Sequence, residues 1–98
     1  MYKSFQLGPY RWKVRQYNKL PEYKLGDTDP NIPIIKLSKT YIDDNNVVQE
    51  IKEDTKEHTF YHELTHAILM TLNHPLQYNE QFVDSFSMLL YQFEKTKK

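Results

Sequence analysis

The sequence has no cysteine and only two glycines, Gly8 and Gly26, in 98 residues, and its 13 Lys and Arg are matched by 13 Asp and Glu. Without a thiol there is no disulfide framework, no thiolate zinc finger, no Cys nucleophile and no Cys-bearing zinc site of the nucleobase-deaminase kind. Any metal must therefore sit on His and carboxylate. A formal charge of zero gives no general electrostatic case for a nucleic-acid or anionic-membrane partner. Long hydrophobic runs are missing as well. Residues 1–20 are broken throughout by charge or Pro, so no export signal is legible, and the longest apolar stretches, such as 67–70, fall far short of the roughly 18 residues that span a bilayer. A cytoplasmic protein is expected. The length has room for one domain, 1–98, and a chain this short buries only about 60 to 65% of the surface its unfolded form exposes, so its core is thin.

What is plentiful is aromatic side chain, 14% of the residues with eight Tyr. Tyr10, Trp12 and Val14 alternate with Arg11, Lys13 and Arg15, the period-two pattern of a strand with an apolar inner face and a charged outer one. Phe5, Tyr10 and Trp12 beside that basic row would suit base stacking, but a strand sends the two sets to opposite faces. The aromatics are expected to pack under helices and the basic row to discourage pairing at a sheet edge. Gly8-Pro9 turns the chain into this strand. Pro21, Gly26, Asp27, Asp29, Pro30 and Pro33 mark residues 21–33 as a loop. Ile34, Ile35 and Leu37, then Tyr41 and Ile42, read as one edge strand interrupted at Ser38-Lys39-Thr40.

Asp43-Asp44-Asn45-Asn46 supplies turn residues, and Asn46 with Gln49 three residues later resembles a capping box. From 47 to about 72 there is no Gly or Pro, and apolar side chains recur with helical spacing, which predicts one long helix stopped by Asn73-His74-Pro75. A second helix is predicted over 79–93, with Phe82, Val83, Phe86, Leu89, Leu90 and Phe93 on its buried stripe and a frayed tail after it. The fold class is α+β: a small, largely antiparallel sheet (region 1–45), then two antiparallel helices, 46–73 and 79–93.

The informative string is His62-Glu63-Leu64-Thr65-His66, an HExxH sequence inside the long predicted helix. Four residues advance a helix by about 400°, so the two imidazoles stand one above the other about 6 Å apart and can share one zinc. Glu63 flanks the metal and can reach water without ligating, which suits a general base. Catalytic zinc uses three protein ligands, so a third must come from a neighbouring element. Glu80 is the leading candidate, because it opens the second helix after a short turn; Asp84, one turn on, would then accept the outer N–H of a liganding imidazole. The two roles could be exchanged. His58 lies about 12 Å along the helix from His66, too far to join one tetrahedral ion, and is expected on the surface or beside the cleft. His74, Tyr78 and Tyr61 are candidate donors to a substrate carbonyl.

Asn79-Glu80-Gln81-Phe82-Val83-Asp84 resembles the Asn-Glu-x-x-x-Asp segment by which thermolysin-like gluzincins supply their third ligand and its supporting Asp. Together with Thr59-Phe60-Tyr61-His62-Glu63-Leu64-Thr65-His66-Ala67-Ile68, it is similar to the small zinc metallopeptidases of phages and prophages, over roughly residues 34–93. That resemblance implies a minimal zincin in a bacterial host cell, with Zn2+ as cofactor and a peptide or protein substrate laid beside the sheet's edge strand, here expected within 34–42. The metzincin pattern fails, since Leu69 and Leu72 stand where its Gly and third His are required. The rival reading is a zinc-stabilised interaction module of phage or prophage origin that binds a protein without cleaving it. Glu63 separates the two, because a purely structural site has no use for a general base.

Overall fold

β2 (Tyr10–Tyr17) carries the alternation: Trp12 is buried, Val14 half-buried, and Arg11, Lys13 and Arg15 are exposed. The computed structural model describes residues 2–98. Gly8, at a φ of 57° that only glycine adopts freely, turns β1 (Ser4–Leu7) back onto β2 as an antiparallel pair in which Phe5 faces Trp12. Those two rings stack, with centroids 6.4 Å apart, under the helices. Tyr10 is the exception to the expected packing. It lies at the strand's start and is 55% exposed.

The sheet has the order β1-β2-β4-β3, with β3 at Gly26–Thr28 and β4 at Ile34–Ser38; β1-β2 and β3-β4 are antiparallel, in keeping with the largely antiparallel arrangement expected, and the β2-β4 pair is parallel, which makes the sheet mixed. After β2 the chain passes a single 3-10 turn at Pro21–Tyr23 and runs along the outer edge as β3 (Gly26–Thr28). It then returns through residues 29–33 as β4 (Ile34–Ser38), slotted between β2 and β3, parallel to the first and antiparallel to the second. Residues 21–33 are thus not all loop. The strand at 34–38 is interior, so the edge expected within 34–42 falls instead on β3. Ile35 and Leu37 on β4 are fully buried, and the register sets Thr28 beside Ile35 and Gly26 beside Leu37 on the same inner face. Asp27, on the other face, lies opposite Lys36.

The interruption at Ser38-Lys39-Thr40 is a change of sheet. Ser38 Oγ donates to the Thr40 carbonyl at 2.7 Å, and the chain continues as β5 (Thr40–Ile42), paired with β6 (Val48–Glu50) in a two-stranded hairpin. The expected capping box is the tip of that hairpin. Asp43 Oδ1 accepts from the Asn45 and Val47 amides, Asn46 takes a φ of 62°, and the Gln49 amide donates to Asp43 Oδ2. The first helix, α1 (Glu53–Thr71), accordingly starts later than predicted, with Glu53 and Asp54 in its first turn where they complement the helix dipole. It ends in a Schellman motif: Asn73 is left-handed at φ 50°, its N–H bonds the Met70 carbonyl, and the His74 N–H bonds Leu69.

α2 (Glu80–Thr96) packs on α1, which in turn covers β3 and β4. Phe60, Tyr61 and Ala67 of α1 close the core over Trp12, Ile35 and Leu37. On α2 only Val83 and Ser87 are buried; Phe82 and Leu90 are half-buried, and Phe86, Leu89 and Phe93 are largely exposed. The six-residue buried stripe expected there is therefore only partly inside, because α2 has α1 beneath it and no second element above. No helix among the described residues is long and apolar enough to cross a membrane.

A core this small has little redundancy. Leu37→Ala is expected to lower the free energy of unfolding by about 2–5 kcal/mol, read from urea denaturation, whereas Arg15→Ala on the solvent face of the sheet should move it by less than about 0.5 kcal/mol.

Candidate metal centre

α1 presents two adjoining stripes. Phe60, Glu63 and Ala67, at i, i+3 and i+7, face the sheet and are buried. His62 and His66, at i and i+4, form the next stripe round, their ring centroids 5.1 Å apart. The Schellman reversal brings the chain back, and the Asn79 side chain accepts the Phe82 N–H at 2.9 Å, fixing the start of α2 at Glu80. The Glu80 carboxylate then meets both rings: Oε2 lies 3.3 Å from His62 Nε2 and Oε1 lies 3.1 Å from His66 Nε2. His62, His66 and Glu80 each offer one ligand atom within 4.8 Å of the others.

The far side of each ring decides what those nitrogens carry. His66 Nδ1 is 2.7 Å from the Gln77 carbonyl oxygen, which can only accept, so Nδ1 holds the proton. His62 Nδ1 is 3.0 Å from Asp84 Oδ1, and an ionised carboxylate likewise only accepts. With one ring proton each, the two imidazoles therefore turn an Nε2 lone pair toward Glu80. Lone pairs facing a carboxylate at 3.1–3.3 Å repel unless a positive charge lies among them, as a proton or a cation. Donors around a tetrahedral zinc at about 2.0–2.2 Å sit roughly 3.4 Å from one another, so the spacing and the donor chemistry both fit a metal ion. Gln77 and Asp84 stand where supporting acceptors fix the tautomer of liganding histidines.

Glu63 is 7% exposed and sits against β3. Thr28 Oγ1 donates to its Oε1 at 2.6 Å. A Cβ on Gly26 would stand 2.7 Å from Thr59 Cγ2, 3.0 Å from Glu63 Cγ and 3.2 Å from Glu63 Oε2, so glycine is what lets the edge strand close over this side chain. Burial pushes the Glu63 carboxyl above the ordinary range, while the Thr28 hydroxyl and then His62 and His66 pull it back in part. The carboxylate opens onto a cavity of about 310 Å³ lined by Lys24, Gly26, Asp27, Thr28, His62, His66, Met70, Tyr78 and Glu80. A second cavity of about 540 Å³ continues it past His58, Thr59, Asp84 and Met88. Together they form a cleft between β3 and the helix pair.

The structure brings His62, Glu63, His66, Glu80 and Asp84 together. His58 stands at the cleft's other end with its ring against Tyr91, as its distance along the helix requires. Tyr78 lines the cavity and is 65% exposed. Tyr61 is instead in the core between Phe60 and Tyr91, and His74 Nδ1 accepts the Leu76 N–H inside the helix connection. Neither lines the cleft. Three contributors were missed in the sequence. Gln77 acts through its main chain, which no side-chain pattern reports. Thr28 and Gly26 lie on a three-residue strand, although Gly26 was conspicuous in a chain with two glycines. Comparison with family models, curated proteins and solved structures finds no match to this chain.

Gly26→Ala should cost about 1–3 kcal/mol in denaturant unfolding, because the added methyl meets the stiff β-branched Thr59 side chain and the stem of the buried Glu63 side chain, neither free to swing aside. The buried Glu63 also predicts a pH dependence. With a folded pKa raised above the unfolded one, its contribution is full below the ordinary glutamate value of about 4.3 and is lost as pH rises through the raised value. In chelator-treated protein, the stability difference between wild type and Glu63→Gln should therefore shift against wild type across that window in parallel denaturation series.

Proposed function

We propose that the chain is a zinc-dependent peptidase in which His62, His66 and Glu80 hold the metal and Glu63 is the general base. The observation that carries this reading is the pairing of a convergent His-His-Glu set with a separate buried carboxylate opening onto the same cleft. A site serving only to staple the fold gains nothing from burying a further, unliganded carboxylate beside it. Its nitrogen and carboxylate donors suit zinc. When bound, zinc supplies a Lewis acid for the peptide carbonyl and acidifies water.

The protein's own residues supply the remainder. Glu63, its Oε1 held by Thr28, takes the proton from the attacking water as the new C–O bond forms, and then returns it to the leaving amine as the C–N bond breaks. A raised affinity for that proton suits a group that must hold it between the two steps. Tyr78, exposed on the cavity wall, donates to the carbonyl oxygen as it gains charge in this reading. β3 pairs only with β4, so its other edge is free beside the cleft. An extended peptide adding there as a strand passes over Glu63. The likeness of the two helical segments to phage and prophage metallopeptidases supports the same reading.

Elemental analysis of purified protein should find about one zinc per chain in wild type, none in Glu80→Ala, and an affinity weakened about 10–100-fold in Asp84→Ala. Glu63→Gln should keep the metal and lose at least about 100-fold in hydrolysis of an unstructured protein substrate. Zinc retained with no hydrolysis by wild type would return the chain to the rival reading, a zinc-stabilised interaction module. No bound metal and no effect of chelator on melting would remove both.

A further inference from the structure

The side of the helix pair turned away from the cleft carries an apolar seam that no element among the described residues covers. At about 100° per residue, Phe82, Phe86, Leu89 and Phe93 fall on one side of α2, while Asp84 and Met88, which line the cleft, fall on the other. Phe86, Leu89 and Phe93 are 46%, 60% and 59% exposed, and the Phe82 and Phe86 rings stack with centroids 5.7 Å apart. Leu64 and Ile68, half-buried on the side of α1 turned from His62 and His66, extend the surface inward.

We infer that this seam is a dimer interface in which α2 packs antiparallel against α2 of a second copy. Three features favour a second copy as the occupant. The intervals along the seam are four, three and four, the a/d spacing of helix pairing, and they read the same from either end. A twofold axis between Phe86 and Leu89 therefore sets Phe82 against the copy's Phe93 and Phe86 against its Leu89, a self-complementary match that an isologous interface requires. The residues flanking the seam, Gln81, Ser85 and Gln92, are uncharged, so no like charges meet across the axis. The antiparallel sense also sets the helix dipoles head to tail.

The area suits a weak, reversible pair. A buried aromatic covers about 150–250 Å², so the exposed fractions leave about 300–400 Å² of apolar side chain per copy. Two copies thus bury about 700 Å², the size of a transient rather than a permanent interface. The cleft lies on the opposite side and stays open in such a pair.

Sedimentation equilibrium on the full chain tests this. Wild type should be dimeric at about 100 μM, and Phe86→Glu and Leu89→Lys should each weaken association at least about 30-fold, since a truncated or charged hot spot in a small apolar interface costs that much. Both positions are exposed in the single chain, so far-UV circular dichroism and melting of the variants, compared at a concentration where wild type is monomeric, should match wild type. Mixing the two variants should restore a heterodimer, because antiparallel pairing sets the carboxylate introduced in one chain opposite the ammonium introduced in the other. Wild type that remains monomeric to about 1 mM, a dimer indifferent to both substitutions, or a mixture that stays monomeric would each overturn the proposal.

Discussion

Two imidazole lone pairs and a carboxylate, facing one another at 3.1 and 3.3 Å, have no stable arrangement unless positive charge lies among them. Much of the second half of the chain is organised to bring about that confrontation. Asn73 turns the end of α1 into a Schellman reversal, residues 72–79 return the chain, and Asn79 caps α2 so that Glu80 begins it. The same short connection presents the Gln77 carbonyl to His66 Nδ1, and α2 one turn later presents Asp84 to His62 Nδ1. Each ring is thereby held in one orientation by an acceptor outside the group of three. A site whose tautomers are fixed before a cation arrives needs little reorganisation to accept one.

The sheet contributes a different constraint, which acts on Glu63. The period of α1 that buries Phe60 and Ala67 also buries Glu63, one residue from a histidine on the neighbouring stripe. A carboxylate at that place needs a hydrogen-bond donor and room, and β3 gives both from its inner face, Thr28 as donor and Gly26 as room. Because successive strand residues alternate faces, Asp27 between them is directed to the outer side, opposite Lys36. Three residues at a sheet edge thus hold a buried acid, and the nearby Asp27 charge adds a little to the burial that raises its affinity for a proton.

What could be read from the sequence followed the range of the signal. HExxH and the Asn-Glu-x-x-x-Asp segment each lie within two helical turns, where spacing alone fixes which side chains share a face, so the grouping of His62, His66, Glu80 and Asp84 was legible. So was β2, whose alternation runs through Trp12 and Val14. β3 was not, since three residues of Gly, Asp and Thr carry turn preferences and become a strand only through pairing with β4. The start of α1 was misplaced for a related reason. Residues 47–52 have no Gly or Pro to interrupt a helical pattern, and only the pairing of Val48–Glu50 with Thr40–Ile42 removes them from the helix. The exposed stripe of α2 shows the limit of periodicity: spacing tells which residues share a face, and only the packing of the whole chain tells whether that face has a neighbour.

α2 illustrates how the metal centre and the fold bear on each other. Its fully buried residues on α1 are Val83 and Ser87, the one modest in volume and the other small and polar, with Leu90 and Tyr91 half-buried against the core beyond them. Ser87 is small enough to let the two helices approach closely, while Lys95 pairs with Glu57 near the far end at 2.6 Å. That exposed pair contributes little by itself. Tyr91 adds ring contacts with Tyr61 and His58, and Glu80 with Asp84 on the two histidines ties the end nearest the turn. If a cation joins those groups, its binding energy adds to this packing, and folding of the helix pair becomes linked to metal occupancy. The same small residues let α2 approach closely enough for Glu80 to reach both rings; a bulkier seam would stabilise the helices and separate the ligands.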